Sequence, residues 1–201
     1  MITGSEAESR ALMMNAAVRI VATHGFEGFT TKKWALEAGV AEGSLYYHFK
    51  SKNDLLEETF FMIDREISDL YSEEDSIPAK SEQMVPFLED LWKRYYHYLL
   101  DNPEKTLYYY RFRTSPRYTD DLQKTLMERY TRVNCVYQKL CGKVGIKSKS
   151  ELSVILCYIL DTTTMFAFRA VTGGIPHTAK SEREILRLMM HGLGALFGKE
   201  F

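Results

Sequence analysis

The chain of 201 residues has three cysteines, five prolines and no surplus of positive charge, and each scarcity removes a class of protein. Cys135, Cys141 and Cys157 are an odd set without a CxxC pair, so neither a disulfide framework nor a zinc module is indicated, and they read as free, mostly buried thiols. The longest apolar run, 152–160, has a serine inside it and is too short to cross a bilayer. The opening MITGSEAESR has no apolar signal region, so a cytoplasmic protein without membrane partners is expected. No paired-histidine metal spacing, Gly-rich phosphate loop or nucleophile elbow occurs, so no metal, cofactor or enzymatic activity is expected.

Alternating apolar and polar runs long enough for a sheet are missing as well, and the strong signals are helical. What is present is 45% hydrophobic and 26% charged, enough to bury a core. An all-α fold of about nine helices follows. Ser5 to Glu8 reads as a capping box opening a first helix whose stripe is Leu12, Ala16 and Ile20 with Met13, Ala17 and Val21. Ser51 caps a helix over about 52–71, and the acidic stretch 72–80 reads as an exposed loop. Beyond it, Val85, Leu88, Trp92, Tyr95 and Leu99 form a seam on a helix ending before Asn102, and Pro103 begins the next, which runs through Arg113. Further helices are expected over about 119–141, 148–171 and 181–198, the last two opened by capping boxes at Ser148 and Ser181.

The stretch 30–50, TTKKWALEAGVAEGSLYYHFK, is the most informative. Its first helix, 31–38, has a threonine cap, and Gly39 ends it because glycine accepts the left-handed conformation. The second, about 42–49, turns Leu45 and Phe49 inward and leaves Gly43, Tyr46, Tyr47 and His48 toward the outside. Two short helices around such a turn have helix-turn-helix spacing, and in that motif the second helix lies in the major groove. Charge is local rather than regional. Residues 1–55 hold six Lys or Arg against six Asp or Glu, so Lys32, Lys33, Lys50 and Lys52, which flank the tyrosines, must supply the positive groups. With Thr31, Tyr47 and His48 they are assigned to the DNA backbone, while Ala41, Glu42, Gly43 and Tyr46 are the groove-facing candidates. Glu42 is open to three readings: a reader of the cytosine amino group, a specificity filter, or a solvated helix residue.

Over residues 16–56, with Gly25, Phe26, Thr31, Ala35, Gly39, Val40, Gly43, Leu45, Tyr46, Tyr47, Phe49, Lys52, Leu55 and Leu56 in register, the chain resembles the DNA-binding domain of TetR-type transcription regulators. It departs from that pattern at Ala41, where a capping serine is usual, and at Trp34, whose bulk is expected to pack between the helices. The resemblance implies a homodimer on a near-palindromic operator and a larger C-terminal helical domain that senses a small molecule. The expected division is therefore a helix-turn-helix domain over 1–52, with its motif at about 31–50, and an effector-binding and dimerisation domain over 53–201.

Helices 148–171 and 181–198 are apolar on several faces and are expected to form a four-helix dimer interface. The middle helices are crowded with aromatics. Trp92, Tyr95, Tyr96, Tyr109, Phe112, Met127, Tyr130, Tyr137 and Met165 are candidates for an effector pocket, although aromatic stripes are more often core. The effector is unidentified and expected to be lipophilic or aromatic. The function expected is that of a repressor released from double-stranded DNA by this effector. The alternatives are a DNA-bound protein whose C-terminal domain takes a protein partner, or an activator.

Overall fold

The computed structural model of the chain describes residues 4–71, 78, 83–129 and 149–196. Among them are nine helices and no strand: α1 Gly4–His24, α2 Thr31–Ala38, α3 Ser44–His48, α4 Lys52–Ser68, α5 Met84–Asp101, α6 Pro103–Arg113, α7 Asp120–Arg129, α8 Lys149–Val171 and α9 Ala179–Leu196. None of the described helices is long and apolar enough to cross a membrane.

Local chemistry explains most of the boundaries. Ser51 Oγ accepts from the Asp54 amide at 3.1 Å and starts α4, and Thr119 Oγ1 accepts from the Leu122 amide at 3.3 Å ahead of α7. The last helix begins earlier than expected. Thr178, not Ser181, is its cap, with Oγ1 accepting from the Ser181 amide at 3.1 Å. Ser181 therefore lies inside the first turn. The stripe of α1 needs one correction: Met13, Ala16, Ala17, Ile20 and Val21 are buried, but Leu12 is 65% exposed. The helix α4 ends at Ser68 rather than near Tyr71, and Leu70 and Tyr71 bond back three residues instead, in a closing turn. The acidic loop expected over 72–80, the segment 130–148 with Cys135 and Cys141, and the end of the expected helix 181–198 lie largely or wholly outside the described residues.

The chain divides into two compact units. The first comprises 1–66 and 104–118, so it holds α1 to α3, most of α4 and all of α6 after Pro103. It extends well past the helix-turn-helix domain expected over 1–52. Its core explains why. Phe60 of α4 stacks on two rings of α6, Phe112 with centroids 4.3 Å apart and Tyr109 at 5.1 Å. The Tyr108 hydroxyl donates to the Leu56 carbonyl at 2.7 Å, and the Tyr109 hydroxyl to Asp64 at 2.6 Å. Arg111 donates to the carbonyls of Val21 and Ala22, satisfying the open C-terminal turn of α1.

In the second unit, 67–103 and 119–201, the helix α5 packs on α8 and α9. Leu88, Leu91, Trp92, Tyr95, Tyr96 and Leu99 are its buried face. Buried polar atoms are paired across this seam. Trp92 Nε1 donates to Thr163 Oγ1 at 3.0 Å, and the Tyr95 hydroxyl meets Thr164 Oγ1 at 2.6 Å. Thr164 already donates to the Leu160 carbonyl at 2.6 Å, which makes Tyr95 the donor in that pair. Gly192 of α9 permits close approach of Tyr158 of α8: a Cβ at 192 would stand 2.1 Å from the Tyr158 hydroxyl oxygen.

Candidate nucleic-acid interface

Three local devices build the helix-turn-helix. Thr30 caps α2, its Oγ1 accepting from the Lys33 amide at 3.2 Å. At the other end Gly39 takes φ 68°, and the amides of Gly39 and Val40 return to the carbonyls of Leu36 and Ala35 at 3.3 and 3.0 Å. That is a Schellman closure, which only a residue at ease with positive φ supplies cheaply. The turn is fixed on the body of the unit by Trp34, fully buried, whose Nε1 donates to the Met13 carbonyl of α1 at 2.9 Å.

The second helix is shorter than the expected 42–49. It spans Ser44–His48, five residues, and Gly43 at its start offers no side-chain cap. Ahead of it the amides of Ser44, Leu45 and Tyr46 bond to the carbonyls of Ala41, Glu42 and Gly43, a tighter three-residue pattern. Ala41, Glu42 and Gly43 therefore belong to a turn rather than to regular helix. All three are exposed. Leu45 and Phe49 are buried, as the pattern of apolar residues requires, while Tyr46 and Tyr47 are 67% and 80% exposed. Large aromatics so exposed on a five-residue helix held from beneath form a presented surface.

The expected contact residues are not equally free. Lys32, Lys33 and Lys50 are exposed, and Lys33 Nζ reaches the Gly28 carbonyl only at 3.5 Å. Lys52, in contrast, is tied down: its Nζ donates to the Phe29 carbonyl at 2.7 Å and lies 5.2 Å from the centre of the Phe29 ring. Thr31 donates its hydroxyl to the Glu42 carboxylate, joining the start of α2 to the turn before α3. His48 packs edge-on to Tyr47 at 4.8 Å, and its Nδ1 is buried without a hydrogen-bond partner among the described residues. An open cavity of about 330 Å³ lies beside these groups, lined by Tyr46, Tyr47, His48, Lys50, Asp54 and Arg10 among others. Sequence spacing gives no sign of Arg10, since its bond to His48 joins positions 38 residues apart.

Residues 13–59 match the family described as bacterial regulatory proteins, tetR family. These residues place the helix-turn-helix in the TetR family. It is 26% identical over 158 residues to an uncharacterized HTH-type transcriptional regulator of Haemophilus influenzae, covering 76% of each chain. Among solved structures, a TetR family transcription regulator from Marinobacter aquaeolei is similar with a TM-score of 0.73 and 22% identity, over 92% of this chain and 95% of that one. The transcriptional regulator FadR from Bacillus subtilis, in complex with stearoyl-CoA, is similar with a TM-score of 0.67 and 18% identity, over 90% and 98%. These structures share the all-helical fold.

The candidate effector residues are dispersed. Tyr109 and Phe112 lie in the core of the first unit, whereas Trp92, Tyr95 and Tyr96 are buried together on α5 in the second, Tyr96 stacked on Trp92 at 4.7 Å. Met165 is 38% exposed on α8. Tyr130 and Tyr137, and the side chain of Met127, lie outside the described residues. Burial raises the pKa of the Tyr96 hydroxyl, with the nearby Glu182 carboxylate adding to the shift.

Proposed function

We propose that this TetR-family regulator is a homodimeric repressor that reads a near-palindromic operator with two copies of α3 and leaves it when a lipophilic effector binds the second unit. The observation that carries the DNA-reading part is the exposure of Tyr46 and Tyr47 on a helix whose opposite face, Leu45 and Phe49, is buried. Lys32, Lys33, Lys50, Tyr47 and His48 contact phosphate, and Ala41, Gly43 and Tyr46 face the groove. Dimerisation is supported by apolar side chains left exposed on α8 and α9: Val154 at 68%, Leu188 at 52% and Met165 at 38%.

The effector sits in the second unit, with the aromatic face of α5 supplying apolar surface. The complex of the Bacillus subtilis regulator FadR with stearoyl-CoA makes long-chain acyl compounds the first class to try. Selection of bound sequences from a random DNA pool tests the reading. A single enriched motif with two half-sites supports it, and recovery of unrelated sequences contradicts it.

A further inference from the structure

Arg10 lies on α1, far in sequence from the recognition helix, yet three of its contacts meet at the end of α3. Its guanidinium donates to the His48 carbonyl, lies 4.4 Å from the centre of the Phe49 ring, and approaches the Glu58 carboxylate at 3.8 Å. The carbonyls of a helix's last turn have no partner within the helix, and a cation there is favourable. In α3 this matters more than in a long helix. It has five residues, its start has no side-chain cap, and its last turn closes with the Phe49 amide on the Leu45 carbonyl at 2.7 Å. A helix this short does not hold its own direction.

We infer that Arg10 is a positioning residue for sequence reading: it fixes the C-terminal end of α3, and with it the aim of Tyr46 and Tyr47, without itself serving as a phosphate ligand. The inference rests on the DNA-reading function proposed above. Its geometry demands arginine in particular. One planar group must lie on the Phe49 ring, donate to a carbonyl at its edge and face Glu58, whereas a lysine ammonium is a point charge without that fork. The side chain is 24% exposed, with Nη1 on the His48 carbonyl and Nη2 facing Glu58.

The test compares the full-length wild type with Arg10→Ala and Arg10→Lys on the selected operator and on unrelated duplex, over a range of salt. Affinity for the operator is expected to fall roughly tenfold, as for one mismatched base pair, with affinity for unrelated duplex within about twofold of wild type. The slope of log affinity against log salt stays unchanged, and lysine does not restore discrimination. A loss shared by both duplexes with a slope lower by about 0.9 makes Arg10 a phosphate ligand and overturns the assignment. Wild-type discrimination in both variants overturns it too. If Arg10→Ala fails to fold, Arg10→Lys decides alone, since it keeps the charge and the stem. A wild type without sequence preference overturns the DNA-reading function as well, whereas a selective wild type with equally selective variants overturns only the role of Arg10.

Discussion

The Thr31 hydroxyl donates to the Glu42 carboxylate across the turn that separates α2 from α3. A carboxylate at the tip of a DNA-reading helix would otherwise face the groove as a mobile anion. Held by Thr31, it is fixed in place, and its remaining acceptor capacity suits a base that offers an amino group, cytosine or adenine, over one that offers only acceptors.

Glu42→Gln is expected to change base preference at one position of each half-site, because an amide offers donors where the carboxylate only accepts. Thr31→Val should blur the same position rather than switch it. Folding stability should fall by no more than about 1 kcal/mol in either case, since the pair is exposed. Selection from random DNA with each variant reads this out, and identical motifs from all three proteins would rule out a reading role for Glu42.

Trp34 is the anchor of the motif. It is fully buried, and its indole donates to the Met13 carbonyl. Trp34→Ala should cost about 3–5 kcal/mol of folding stability, and Trp34→Phe, which keeps most of the packing but leaves that carbonyl unpaired, about 1–3 kcal/mol. Urea denaturation gives both values. A loss below about 1 kcal/mol for alanine, on the scale of core truncations, would contradict the packing described.

Gly39 separates backbone strain from crowding. A Cβ there meets nothing within 4 Å, but φ is 68°. Gly39→Ala should therefore cost about 1–2 kcal/mol through conformation alone. Gly39→Asn should cost less than Gly39→Ala, because asparagine visits that region readily. Equal losses for the two would mean that the positive φ is not what the site requires.

Burial drives the pKa of Tyr108 well above its usual value, opposed in part by the Thr59 hydrogen bond and the Arg117 charge. The neutral phenol is the form favoured by folding. Stability from this group is complete below the unfolded-state value near pH 10, and is lost as pH rises through the higher folded value, by up to about 1.4 kcal/mol per pH unit. Tyr108→Phe should lower stability near pH 7 by about 1 kcal/mol, for the missing bond to Leu56, and flatten the alkaline decline. Denaturation midpoints between pH 7 and pH 11 check it, and an unchanged alkaline slope in the variant would contradict the assignment.

How much of this was legible in the sequence follows the range of each interaction. Thr30, Gly39, Ser51 and Pro103 act on their own turns, and the helix ends they mark lie where their chemistry puts them. Leu45 and Phe49 could be read as buried from their spacing, and Trp34 from its bulk. The start of α3 could not, because the bond that engages Glu42 comes from Thr31, 11 residues away. Neither could Thr178 be preferred to Ser181 as the cap of α9, since both have the hydroxyl a cap needs and only the path of the backbone decides. Sequence puts Tyr109 and Phe112 among the effector-pocket candidates, whereas they stack on Phe60 and the neighbouring Tyr108 donates to the α4 backbone.

The central claim, that α3 is a DNA reader, is tested most directly by titrating the selected operator with wild type, Tyr47→Ala and Lys50→Ala over a range of salt. Lys50 is the better probe than Lys52, whose ammonium is engaged by the Phe29 carbonyl and ring, so that its removal would disturb the fold as well. Both variants are expected to bind more weakly and to stay folded, and the salt slope for Lys50→Ala to be lower by about 0.9, the value for one phosphate left unneutralised. Wild-type affinity and slope in both variants would contradict it.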